Sequence, residues 1–200
     1  MEPVLEIPYA GERAPAPGRL ALVQRFVNTV DFEHGREMLS DPARLGAVLA
    51  ELGLLSAGEH PTDADLDRAR TVREALRSLA LANNGGVDGG GGAARVLEEA
   101  AASARLGIAF DGRGARLEPV APGVTGALGA LVGIVYTAMA DGTWPRLKAC
   151  QRDVCHWLFY DRSRNRSAVW CRMAVCGNRT KTKAYRARKS GARPARTGRR

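Results

Sequence analysis

Cysteine is missing from the first 149 residues of this 200-residue chain, and lysine from the first 147. Aromatic residues are scarce at 6%, so a core has to be built from Leu, Val and Ala. No apolar run approaches the ~20 residues that a membrane helix needs. The nearest, Val124 to Ala140, is interrupted by Gly126, Gly129 and Gly133 and carries Tyr136. The opening Met-Glu-Pro-Val-Leu-Glu-Ile-Pro has neither the basic start nor the apolar stretch of a secretory leader. Together these absences predict a soluble, cytoplasmic protein with no membrane partner. G-x-S-x-G, phosphate-loop and H-E-x-x-H patterns are missing too. His34, His60 and His156 lie far apart and belong to no catalytic pattern. The six glycines of residues 85–92 follow no strand, so they read as a flexible loop and not as a phosphate cradle. No catalytic residue is expected.

What is present is a globular composition, 45% hydrophobic and 26% charged, at a length that fits one or two domains. The charge is divided unevenly. Residues 1–145 hold 13 Arg and 19 acidic groups, a net of −6. Residues 146–200 hold 17 Lys and Arg against Asp153 and Asp161, a net of +15, so that the whole chain carries +9. A mildly acidic body ending in a basic segment is the electrostatic pattern of a nucleic-acid-binding terminus.

All four cysteines fall in that segment, as Cys150, Cys155, Cys171 and Cys176, spaced C-x4-C-x15-C-x4-C. Reduced thiols in two short-spaced pairs suit a tetrahedral four-thiolate zinc, because soft sulfur ligands satisfy a d10 ion without geometric demand. A structural zinc is the favoured reading, with disulfides or free buried thiols as the alternatives. Such a closed site has no open position for water and is a folding element. Lys148, Arg152, Arg172 and Arg179 are near enough in sequence to offset its negative charge. His156 is read as a surface or packing residue. Trp157, Phe159, Tyr160 and Trp170 supply a mini-core that a small module otherwise lacks, with Tyr160 and Tyr185 as the candidates for base stacking.

Asp161 to Ser167 reads as a polar turn whose Arg162, Arg164 and Arg166 reach for phosphates. After Cys176 the chain reads as a helix, with Asn178 a plausible N-cap. Thr180, Ala184 and Ala187 form a small-residue stripe. Arg179, Lys183 and Arg186 flank one side of it, Lys181 and Arg188 the other, and Tyr185 and Lys189 lie opposite. Residues 190–200 read as a disordered basic tail.

These features carry a resemblance. Residues 147–189 closely resemble the CGNR zinc finger, named for the run that is Cys176-Gly177-Asn178-Arg179 here. The C-x-W-x-F-x-D core appears as Cys155, Trp157, Phe159 and Asp161, and Ser163, Asn165, Arg166, Trp170, Cys171 and Met173 also fall where that pattern has them. The N-terminal part resembles the partner ABATE domain of stress-induced transcription regulators through Phe26-Val27-Asn28-Thr29-Val30-Asp31, with Arg25 in place of an acidic residue. The resemblance implies a bacterial regulator with a zinc-dependent DNA-binding C-terminus.

The body reads as helical. Residues 1–17 hold Pro3, Pro8, Pro15 and Pro17 and form an extended arm. Leu20, Val23, Phe26, Val27 and Val30 mark a first helix, on which Asn28 and Thr29 are a possible ligand pocket. Asp41-Pro42 starts a second helix. Thr62 and Asp65 resemble a capping box for a third, which Asn83-Asn84-Gly85-Gly86 stops. A short helix over 93–105, a β-hairpin over 106–120 and an apolar helix over 123–141 follow, and Trp144-Pro145 is read as a hinge.

The expected fold is therefore mainly α. A multihelical N-terminal body with a small β-hairpin (18–145) is followed by a C-terminal four-cysteine zinc-binding module ending in a basic helix (146–189). The expected function is a DNA-binding transcription regulator whose body senses a small-molecule effector or forms a homodimer. The alternative is an RNA-binding or ribosome-associated zinc protein.

Overall fold

The computed structural model describes residues 14–56, 58–86, 91–112 and 114–189. Most of the proline-rich arm, residues 87–90 of the glycine run and the 190–200 tail lie outside these. The described residues form six α-helices and three two-stranded antiparallel hairpins. In chain order they are α1 Leu20–Val27, β1 Val30–Asp31, β2 Arg36–Glu37, α2 Pro42–Glu51, α3 Asp63–Ala82 and α4 Gly92–Ala104. Then come β3 Leu106–Asp111, β4 Gly114–Pro119, α5 Gly123–Ala140, β5 Leu147–Ala149, β6 Leu158–Tyr160 and α6 Asn178–Lys189. The fold is mainly α.

Local chemistry sets the helix starts. Asp41 caps α2 by accepting the Arg44 N–H at 2.9 Å, with Pro42 in the first turn where its missing N–H costs nothing. Thr62 and Asp65 close a reciprocal capping box on α3, with Asp standing in for the usual Glu. Arg105 ends α4 in the left-handed region at φ 50° and turns the chain into β3.

α5 is the centre of the body and packs against α1, α3, α4 and β4. Its 18 residues have a mean hydropathy of 1.6. By length and composition it is therefore long and apolar enough to cross a membrane, contrary to the expectation from its glycines. Most of it is apolar on most sides because other elements cover it, whereas Tyr136 and Met139 near its end are exposed. The glycines are contact points: a Cβ on Gly129 would collide with Ala104 of α4, and one on Gly126 with the Ala121 carbonyl.

Three sequence expectations shift. α1 stops at Val27, because Asn28 turns its amide towards β6. The short β1–β2 hairpin has no periodicity to announce it. And Trp144-Pro145 is no hinge: Trp144 is buried, and Leu147, Ala149, Leu158 and Tyr160 belong to the same core as Phe26, Leu49, Leu76 and Leu131. The β5–β6 hairpin is thus part of the body's core.

Candidate metal centre and basic helix

Both edges of the β5–β6 hairpin are closed by side-chain amides. On the β6 side, the Leu158 carbonyl accepts from Gln24 Nε2 (3.2 Å) and Asn28 Nδ2 (3.0 Å), and the Leu158 N–H donates to Asn28 Oδ1 at 2.8 Å. On the β5 side, Asn83 Nδ2 donates to the Trp144 and Leu147 carbonyls, both at 2.9 Å. Asn84 Nδ2 donates to the carbonyls of Ala149 (2.8 Å) and Val169 (2.7 Å). A two-stranded ribbon with open edges is weak alone. Here α1 and the end of α3 act as its missing neighbours.

That rigid hairpin presents the metal centre at one end. Cys150 follows β5, and Cys155 lies on the loop that leads to β6. Cys171 precedes a π-helical turn, Met173–Gly177, and Cys176 lies within it. The four sulfurs lie within 4.8 Å of one another and all four residues are buried. Cys171 Sγ is 3.6 Å from both Cys155 Sγ and Cys176 Sγ. That is far beyond a disulfide bond. It is close to the ~3.8 Å edge of a tetrahedron whose Zn–S bonds are about 2.3 Å. The site is suited to a zinc ion.

Crowding separates the acidities of the thiols. Hydrogen bonds from the Cys155 and Cys171 thiols hold Cys150 well below the ordinary thiol range. The same contacts with Cys150 push Cys155 and Cys171 up. A divalent cation at the centre removes that conflict by making ionisation of all four favourable. The backbone N–H of Arg152 also favours the Cys150 thiolate, and that of Trp157 the Cys155 thiolate. Phe159, Trp157 and Trp170 pack around the sulfurs, as expected of a mini-core.

Of the four cations expected to offset the thiolates, Arg152 touches one: its Nη1 is 3.9 Å from Cys176 Sγ and 2.8 Å from Glu33 Oε2. Glu33, on the β1–β2 loop, also pairs with Arg179. Both arginines hold its carboxyl below the usual carboxylate range, Arg152 most of all. Lys148 is spent elsewhere. It is buried in an ion pair with Asp161 at 2.9 Å and also donates to the Arg166 and Ala168 carbonyls. Asp161 further accepts the Ser163 and Ala168 N–H groups, both at 2.9 Å. Although burial opposes its ionisation, these donors bring its pKa down to about 2.

Asn28 and Thr29 form no ligand pocket. Asn28 is committed to Leu158, and the Thr29 hydroxyl donates to the Phe26 carbonyl (2.8 Å) and accepts from Arg73 Nη1 (3.2 Å). They are buried staples between α1, α3 and β6. Tyr160 is buried beneath the Arg162 guanidinium, which leaves it no face for a base; Tyr185 is exposed. Asn178 lies inside a helical stretch at φ −66°, so it is not an N-cap; its Nδ2 donates to the Ala174 carbonyl. His156 stacks edge-on against Phe32.

Arg164, Arg166, Lys181, Arg186, Arg188 and Lys189 are exposed. Arg162 donates to the Pro15 carbonyl, Arg179 pairs with Glu33, and Lys183 lies 3.6 Å from Asp153. The arginine turn leaves the Leu147–Tyr160 end of the hairpin, whereas α6 leaves the zinc end.

Sequence reasoning missed three anchoring groups, Glu33, Arg73 and Arg77, and gave Asp161 a place in the motif but no partner. Arg77, buried on α3, donates to the Val27 carbonyl (2.6 Å) and the His156 carbonyl (2.8 Å). Arg73 forms a two-pronged pair with Glu37. Only Asp161 had a signal, as one of two acids in a strongly basic segment.

Comparison with protein families agrees with this geometry. Residues 146–189 match the CGNR zinc finger. Residues 20–142 match ABATE, described as "putative stress-induced transcription regulator". The chain belongs to the ABATE family. Among curated proteins, none matches this ABATE chain. The paired family segments meet where Trp144 and β5 enter the common core.

Proposed function

We propose that this ABATE protein is a cytoplasmic transcription regulator whose zinc-clamped C-terminal module binds DNA. Cys150, Cys155, Cys171 and Cys176 are the zinc ligands. The module covers residues 146–189 and the body residues 18–145, with the body as the sensing or dimerising part. One observation carries the reading: the buried four-sulfur cluster is continuous with the turn that launches the basic helix. Cys176 accepts the Thr180 hydroxyl through its carbonyl at 2.8 Å. Metal binding therefore fixes the direction of α6.

Zinc supplies no reaction here; when bound it holds the two cysteine turns together. Arg179, Lys181, Lys183, Arg186, Arg188 and Lys189 are the phosphate-reaching groups of α6, with Arg162, Arg164 and Arg166 as a separate contact. With four to six phosphates neutralised, log affinity for duplex DNA should fall against log salt at a slope of about −4 to −5. Cys176→Ser should release the metal and abolish that binding. Full zinc content in Cys176→Ser, or a slope near zero in the parent chain, would remove the proposal.

A further inference from the structure

We propose that α6 reads the major groove of B-form DNA, with Asn178, Thr182 and Tyr185 towards the base edges and the cations of its two flanks on the phosphates of opposite strands. The inference rests on the nucleic-acid reading above and narrows it to one helix, one groove and three reading side chains.

The first support is how α6 is mounted. Among the described residues it packs mainly on the π turn that holds Cys176. Thr180 and Ala187, on its inward side, are half-buried. Asn178, Thr182, Tyr185 and Lys189 lie opposite them and are exposed. Twelve residues make a rod about 18 Å long and, with side chains, about 10–12 Å across. The major groove of B-DNA is about 12 Å wide and 8.5 Å deep.

The second support is the arrangement of charge around the helix. A helix that lies on a flat polyanion needs cations on one face. Here Arg179, Lys183 and Arg186 follow one flank and Lys181 and Arg188 the other. The strip between them carries an amide and two hydroxyls, with Lys189 at its end. A groove with phosphates on both walls and hydrogen-bonding edges on its floor matches that order. With Asn178 Nδ2 on the Ala174 carbonyl, its Oδ1 is left to accept from a base amino group, and hydroxyls can bond to several base edges. A shallow cleft of about 450 Å³ runs between floor and flank, lined by Asn178, Arg179, Thr182, Lys183 and Arg186. The major groove of A-form RNA is too narrow to admit such a helix, which makes the partner duplex DNA.

Glu33 and Asp153 hold Arg179 and Lys183 on the body-facing flank. Both pairs are largely exposed on the cation side, so they hold weakly and a phosphate can take their place.

The test uses the full zinc-loaded chain and duplexes selected from a random-sequence pool. Methylation interference should fall on guanine N7, in the major groove. Thr182→Ala and Tyr185→Ala should each lower the preference for the selected duplex over a scrambled one by about tenfold, with the salt slope unchanged. Lys181→Ala and Arg188→Ala should weaken both duplexes alike and make the slope shallower by about one each. Zinc content measured on each variant shows that the module is intact. Interference at adenine N3 alone, no enriched sequence, or equal binding to an RNA duplex would overturn the inference and leave salt-dependent nucleic-acid binding standing. Loss of all duplex binding by the parent chain would overturn the wider reading as well.

Discussion

Single side chains join the finger to the body, and two of them make sharp tests. Lys148 and Asp161 are both buried, and each is the other's charge partner. Asp161→Asn leaves an unpaired ammonium in the core, which should cost about 3–5 kcal/mol, read as a shift in the urea midpoint. The pH dependence has a definite sign. The folded pKa of Asp161, about 2, is below its ordinary 3.8. Its contribution is therefore complete above about pH 4 and is lost as pH falls towards 2. The parent chain should lose more stability over that interval than Asp161→Asn does. The second test is Asn28→Ala, which strips the Leu158 N–H and carbonyl of one partner each. A buried N–H without an acceptor costs about 1–3 kcal/mol. A ligand-site residue would change little in the absence of ligand, so unaltered thermal stability would contradict the staple.

At the scale of elements, α5 shows how far local preference yields to packing. Glycine lowers helix stability by roughly 0.5–1 kcal/mol relative to alanine. On propensity alone, Gly129→Ala should be stabilising. The Cβ would collide with Ala104 of α4, however, and overpacking of this kind costs about 1–3 kcal/mol. The net effect should be a lower melting temperature, measured by calorimetry. The same close contact explains why a glycine-interrupted run forms a continuous core helix. Helices α2 to α5 were legible because their caps and apolar spacing are local. β1–β2 was not, because two-residue strands have no period; it exists through Arg73 on Glu37 and the loop residue Glu33 on Arg152 and Arg179.

Across the whole molecule, the zinc end and the helical body are one mechanical unit. β5 and β6 contribute Leu147, Ala149, Leu158 and Tyr160 to the main core, and Arg77 ties α3 to the carbonyl beside Cys155. Removing the metal should therefore loosen more than the finger. A chelator should increase hydrogen exchange in α1 and at the C-terminal end of α3, as well as around the cysteines. Unchanged protection in those helices, with exchange confined to 150–189, would show that the finger unfolds alone.

Read along the chain, residue spacing is enough to give the helical body, the capped helix starts, the four paired cysteines and the concentration of positive charge in the C-terminal segment. Each depends on residues close together in the chain, where spacing alone decides which side chains share a face or a turn. Tertiary structure decided what the buried polar groups do. Asn28 became a staple, Lys148 the partner of Asp161, and the arginine turn was sent to the opposite end of the hairpin from α6. The Asn28 staple joins residues 130 apart in sequence, Asn28 and Leu158. Once water is excluded, a buried amide or charge must take whichever complementary group the packing brings to it.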